Sequence, residues 1–396
     1  MNRKKIEELL KILDENKEHW LKAINSSREM VLSNLAMLSQ EPSETFEEEN
    51  RAALVLERFI ASGIFEPQTD EVSNVIGIIP GKHEESNILL FSHMDHQQSM
   101  SEIDRSISIS KDRVTGYGVS EDNIALSILI TLPDILQRLD ISYNSNIVLL
   151  AASRHHGRGD LEGIRKYVRQ HKNKTDFCIN LVGTPLGTVN YFSLSRVRCD
   201  INCTIDAEPH NPWGKNTNIS ANLVINDIMN RLFSIPLPRQ PKTVINLGMI
   251  TGGNRYSTVS TQAQIKLEVL SENDEIMEKV IDQIHDGCVD ISAKYGVEVT
   301  SDFFGRHKAG GVSYSHPLVK SAVGIVKNLG YRPLMTYNDS ALAVPLSASI
   351  PSIGIGMTTG MLSSGSKGYI DISPMPTGIL QLIMLLYAID KGYCYE

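Results

Sequence analysis

His93 and Asp95 stand at the end of an apolar run, Asn87-Ile-Leu-Leu-Phe-Ser-His93-Met-Asp95-His96. The run reads as a buried strand, and open α/β sheets carry their chemistry at the carboxyl ends of strands. An imidazole placed there binds a metal through one ring nitrogen. Asp95 can take the proton of the other nitrogen and so fix the tautomer. The plain alternative is a strand-end His and Asp that face water. His96, on the same loop, is a weaker candidate.

The rest of the chain limits what such a site serves. At 396 residues it is long enough for two domains. A net charge of −8 gives no footprint for nucleic acid. No run reaches the roughly 18 apolar residues of a membrane span. The opening residues, Met1-Asn-Arg-Lys-Lys-Ile-Glu-Glu-Leu-Leu, read as a charged helix rather than a signal peptide. Cys178, Cys199, Cys203, Cys288 and Cys394 are scattered without CxxC spacing, which argues against a disulfide framework or a thiolate zinc site. The expectation is a cytoplasmic protein with reduced thiols and neither a nucleic-acid nor a membrane partner.

Elements that could position the site follow from the apolar periodicity. Residues 2–39 form one or two amphipathic helices, broken at Pro42. Ser43 with Glu47 starts another helix, which carries Ala52, Val55 and Phe59 and stops near Gly63. Strands fall at 74–79 and 88–91. A helix over 124–139 follows Gly116-Tyr-Gly118. Strand 147–152, helix 161–170 and strand 177–182 continue the alternation. Such continuous apolar strands between helices predict a mostly parallel α/β sheet with helices on both faces.

From Arg198 the strands alternate polar and apolar residues instead. Strand 198–205, helix 220–233, strands 244–250 and 263–270, helix 275–295 and strand 297–304 give the β-α-β-β-α-β order of a ferredoxin-like sandwich. A helix opening at His316-Pro317, strand 353–356 and helix 377–389 return to the α/β pattern. The reading is therefore one α/β domain, 1–192 and 307–396, interrupted by a domain at 193–306.

These segments resemble, in order, the two-zinc family that includes acetylornithine deacetylase, succinyl-diaminopimelate desuccinylase, aminoacylase-1 and carboxypeptidase G. Ser92-His93-Met94-Asp95 matches its first metal motif. Gly116-Tyr-Gly118-Val-Ser-Glu121-Asp122-Asn123 stands at its Gly-x-Gly-x-x-Asp motif. The segment Leu150 to Gly163 stands where the family carries paired Glu residues. Asn246-Leu-Gly248-Met-Ile-Thr-Gly252-Gly253 matches the sandwich strand ending in two glycines, and Ile350 to Gly356 the strand before the last motif. The resemblance implies an α/β catalytic domain with an inserted dimerisation or lid domain, and a homodimer. It also implies hydrolysis by two metals that share a carboxylate and a water, with a Glu as proton carrier.

Residue by residue, much of that apparatus is replaced. His93 and Asp95 are kept. Glu121 takes the place of the bridging Asp, with Asp122 next to it. His155 replaces the catalytic Glu and His156 a ligand Glu. Val182 falls at the third acidic ligand, Ser364 at the last His and Gly368 at the Glu four residues on. Ser257 and Leu270 replace an Asn and an Arg of the inserted domain. His210 matches the family His that reaches a neighbouring subunit's active site. The resemblance thus leaves His93, Glu121 or Asp122, and His156 as ligands for one zinc or other divalent metal, or no metal at all. His155 would be the base, with Asp95 and His210 completing the catalytic set. Arg196 (or Arg198) can pair a substrate carboxylate. Asn254 and Arg255 can face a cleft between the domains. Strand-edge charge is the plainer account of the arginines.

Three functions fit. One is an altered amide hydrolase for a small peptide or N-acyl amino acid. The second is a metal-free amide-forming or acyl-transfer enzyme using His155 and His156 in a site that excludes water. The third is a non-catalytic ligand-binding or scaffold paralogue. Retention of His93, Asp95 and His210 favours an enzyme; the losses at Val182 and Ser364 favour the third.

Overall fold

A computed structural model describes residues 3–96, 104–206, 219–336, 341–362 and 367–396. The chain forms two compact units, Met1–Ser193 with Gly311–Glu396, and Leu194–Gly310.

In the first unit three helices come first, α1 (Arg3–Ser26), α2 (Arg28–Gln40) and α3 (Glu49–Ala61). Strands β1 (Phe65–Thr69), β2 (Val75–Ile79) and β3 (His83–His93) follow. Two short strands, β4 (Ser108–Ile109) and β5 (Arg113–Gly116), lead into α4 (Ile124–Leu139). Then come β6 (Ser145–Ala152), α5 (Glu162–His171), β7 (Phe177–Val182), β8 (Val189–Asn190) and β9 (Phe192–Ser193).

The second unit contains β10 (Ser195–Thr204), α6 (Ala221–Phe233), β11 (Thr243–Gly252), β12 (Gln262–Ser271), α7 (Asp274–Tyr295) and β13 (Glu298–His307). After β14 (Gly310–Gly311) the first unit is completed by α8 (Pro317–Asn328), α9 (Ala343–Ser347), β15 (Ser352–Gly356), β16 (Gly360–Met361), β17 (Gly368–Asp371) and α10 (Met375–Asp390).

The main sheet runs β1-β2-β6-β3-β7-β15-β8. Its centre, β6-β3-β7-β15, is parallel, and β1, β2 and β8 add antiparallel edges. Ile88 and Leu90 of β3 enter the core beneath α1, α4 and α10, whereas Leu89 and Phe91 enter the one beneath α5. A strand covered on both faces must be apolar at every position, which accounts for the continuous run. The chain passes from β3 to β6 on one side, then crosses to β7 on the other. Ligands of open α/β sheets bind outside the strand ends at such a reversal.

A small antiparallel sheet, β16-β17-β5-β4, has no counterpart in the sequence reading. Its strands of two to four residues are too short to show a period. Helix α3 also begins later than its Ser43 start signal. Residues 43–48 instead form a loop against the end of β3, where Ser43 O accepts from His96 N at 2.7 Å.

The second unit is the expected β-α-β-β-α-β sandwich, with sheet order β11-β12-β10-β13. Residues Val197, Cys199 and Ile201 of β10 point into its core with α6 and α7. Among the described residues no helix is long and apolar enough to cross a membrane.

Gly378 in α10 gives a stability test. A Cβ there would overlap the carbonyl oxygen of Met357, which is backbone and cannot move aside. Helix propensity favours Ala over Gly by about 1 kcal/mol, but overpacking costs about 1–3 kcal/mol. Gly378→Ala should therefore lower the urea midpoint; a raised midpoint would contradict this packing.

Candidate metal and acid–base site

Four consecutive backbone N–H groups leave the end of β6, and side-chain oxygens from elsewhere in the unit take all of them. Ser153 N donates to Asn74 Oδ1 at 3.0 Å, and Arg154 N to Glu48 Oε1 at 2.8 Å. His155 N and His156 N donate to Asp95 Oδ2 at 2.9 and 3.0 Å. Asp95 Oδ2 also accepts from the Thr45 hydroxyl at 2.7 Å. These bonds turn both imidazoles towards His93 at the end of β3.

The His93 ring stacks on His155, with centroids 3.9 Å apart, and meets His156 edge-on at 4.8 Å. Ligand-capable atoms of the three histidines lie within 4.8 Å of one another. His93 Nδ1 donates to the Asp95 carbonyl oxygen at 3.0 Å. The Asp95 carboxylate is farther, at 3.5 Å, so the backbone oxygen and not the side chain fixes the tautomer. Asp95 is fully buried and holds the loop instead of facing the cavity. That bond leaves His93 Nε2 free, and Nε2 lies against Asp122 Oδ2.

Glu121 and Asp122 sit in a single π-turn, Val119–Asn123, before α4. Glu121 has φ −80° and ψ −122°, outside the helical region. Wide turns of this kind recur at functional sites. No side chain fits at Gly183, because the Glu121 carbonyl oxygen occupies that space. The two carboxylates thus diverge: Asp122 reaches His93, and Glu121 Oε2 lies 3.9 Å from His96 Nδ1.

All five groups, His93, Glu121, Asp122, His155 and His156, line one cavity of about 490 Å³. Neutral residues, among them Asn180, Thr184, Thr188 and Asn190, complete it, and Val182 is in its wall. A valine offers no ligand atom at that place.

Burial opposes charge on His93, but Asp122 overrides it and holds the pKa well above the ordinary value. Asp95 is likewise held well below the carboxylate range, against its burial, by His93. Burial and the charge of His93 push His156 down to about 4. Its Nε2 is buried and has no hydrogen-bond partner among the described residues. Contact with His96 lowers the pKa of Glu121.

Other residues singled out in the sequence lie elsewhere. Arg196 and Arg198 are in β10 of the second unit, with Arg196 Nε 3.9 Å from Glu268 Oε2. Asn254 lines a polar cavity of about 470 Å³ in that unit, and Arg255 beside it is exposed. Ser257 and Leu270 also belong to it. His210 and Ser364 lie outside the described residues. Four contributors escaped the sequence reading in whole or part: Thr45, Glu48, Arg51 and, beyond its mention as a weaker candidate, His96. The contacts Thr45–Asp95, Arg51–His96 and Glu48–Arg154 span 50, 45 and 106 residues, so no local motif marks them.

The neutral imidazoles predict acid lability. His156 titrates near 4 in the fold and near 6.5 when unfolded, and burial also lowers His96. Below 6.5 the unfolded chain binds the extra protons, so stability falls as pH drops from 6.5 towards 4. The loss from His156 reaches at most about 3 kcal/mol. Urea unfolding of chelator-treated protein at about pH 7 and about pH 4.5 measures it, and His156→Gln should shrink the difference. An equal difference in that variant would contradict the assignment.

No protein-family model and no curated protein matches the sequence. Solved structures do match over nearly the whole chain. The dipeptidase Dug1p of Saccharomyces cerevisiae has TM-score 0.77 at 12% identity, covering 94% of this chain and 98% of its own. An M20 family metallo-carboxypeptidase, Sso-CP2 of Sulfolobus solfataricus, has TM-score 0.75 at 14% identity, covering 91% and 99%. A dinuclear metal-binding M20 peptidase of Bacillus subtilis has TM-score 0.65 at 14% identity, covering 93% and 99%. The chain therefore shares the fold of the M20 metallopeptidases, the fold its sequence motifs resemble. At these identities the likeness speaks for the fold, and activity must be argued from the site.

Proposed function

We propose that this chain hydrolyses an amide bond in a small peptide or N-acyl amino acid, with one divalent metal in its cavity. The observation that carries the reading is the convergence of three imidazoles from the ends of two parallel strands with two carboxylates from the π-turn before α4. His93, His156 and Asp122 would hold the metal, three ligands that leave zinc an open position for water. The unpartnered, buried His156 Nε2 fits that role. His155, assigned from sequence as a base, stacks on His93 beside that open position. A second metal would lack a ligand at Val182.

When bound there, the metal supplies charge that polarises an amide carbonyl and acidifies a water. Glu121 is the carboxylate left over. Ionised near neutrality as a carboxylate is, it would accept a proton from water and pass it to the leaving amine. The uncharged lining around Asn180, Thr184 and Asn190 suits the amide groups of a short substrate. The names of the fold neighbours, a dipeptidase and a carboxypeptidase, point to the same bond class.

A panel of dipeptides and N-acyl amino acids tests the reading. Glu121→Gln should reduce kcat by about 10²- to 10⁴-fold while metal content stays at the wild-type level. Wild-type turnover of none of these substrates after metal loading would refute hydrolysis. Unchanged turnover in Glu121→Gln would remove Glu121 from the chemistry.

A further inference from the structure

Behind Glu121 lies a buried pair that the proposed chemistry has not used. Arg51 of α3 is fully buried, and His96 nearly so. Arg51 Nη1 lies 3.0 Å from His96 Nε2 and also donates to Met94 O and Asn123 Oδ1. Its Nη2 donates to Leu38 O and Glu41 O.

A guanidinium has only donors. Nη1 shares its two hydrogens among three acceptors, and His96 Nε2, which cannot donate to a guanidinium nitrogen, presents its lone pair there, placing the ring proton on Nδ1. Among the described residues His96 Nδ1 is buried with no hydrogen-bond partner, and Glu121 Oε2 lies 3.9 Å away.

The ring has little room to turn. Its backbone N is tied to Ser43 O. Tyr117 meets it edge-on at 5.6 Å. A Cβ on Gly118, which has φ +68°, would come within 2.6 Å of His96 Cε1. Glu121, by contrast, has a side chain that is 38% exposed and can swing.

We propose that His96 is a positioning residue for Glu121: Arg51 locks it in the Nδ1–H form, and that N–H draws the carboxylate into one orientation at the cavity. This rests on the reading of Glu121 as the proton carrier. The imidazole N–H of His96 then orients the Glu121 carboxylate, where beside a metal ligand a carboxylate orients an imidazole.

Two variants separate positioning from mere packing. His96→Asn keeps a donor where Nδ1 was and drops the contact to Arg51. His96→Gln keeps an acceptor for Arg51 and drops the donor to Glu121. With positioning, His96→Gln loses about 10- to 100-fold in kcat at little change in KM, the size typical of outer-shell partners. His96→Asn then retains more activity than His96→Gln, even where its melting temperature is the lower of the two. The opposite order, with activity following stability, overturns the proposal.

An independent readout needs no turnover. Imidazole ¹⁵N shifts of His96 should report the Nδ1–H tautomer, and Glu121→Gln should move the Nδ1 resonance. An Nε2–H tautomer, or an Nδ1 signal indifferent to Glu121→Gln, overturns the proposal. If the wild type hydrolyses nothing, the functional reading fails, and the ¹⁵N experiment still decides the fate of the His96–Glu121 link.

Discussion

The site depends on one buried carboxylate. Asp95 takes the N–H groups of His155 and His156 and the hydroxyl of Thr45, and it does so without solvent contact. Each bond is charge-assisted and stronger than its neutral counterpart. Removing the carboxylate would leave two buried backbone donors unpaired, which costs about 1–3 kcal/mol each. The end of β6 is thereby welded to the end of β3, and three imidazoles are forced together where three isolated ones would drift apart.

That crowding is electrostatically possible only because the rings do not share one charge state. His93 is pulled towards the protonated form by Asp122, while His156 is driven neutral by burial and by His93 itself. A divalent cation would take the place of the proton between His93 and Asp122 and find neutral nitrogens around it. Protons and metal compete for the same atoms in such a site. The arrangement balances one cation with Asp122 and Glu121; Val182 in the wall adds no charge for another.

What the sequence revealed follows the range of the signal. The run Ile88 to Phe91 announced a strand covered on both faces, and the alternation after Arg198 announced the sandwich. Helix α4 stood out equally well by its apolar length. Strand β1, by contrast, is exposed along most of its length and contains Pro67, so it carries no period to detect. At the site, His93, Asp95, Glu121, Asp122, His155 and His156 were legible because short motifs hold them. Arg51 carries no such signal, since nothing local in the sequence tells that its guanidinium is buried against His96. The role of Asp95 was also misjudged in detail: its carboxylate anchors backbone N–H groups, and its carbonyl orients His93.

The cavity residues suit a single-metal centre, on a fold shared with a dinuclear metal-binding peptidase. Metal content per chain, measured on protein purified without chelator or affinity-tag metal, tests it most directly. About one tightly held divalent ion per chain is expected, lost in His93→Ala and in His156→Ala. No metal after incubation with zinc, or two ions per chain, would contradict it.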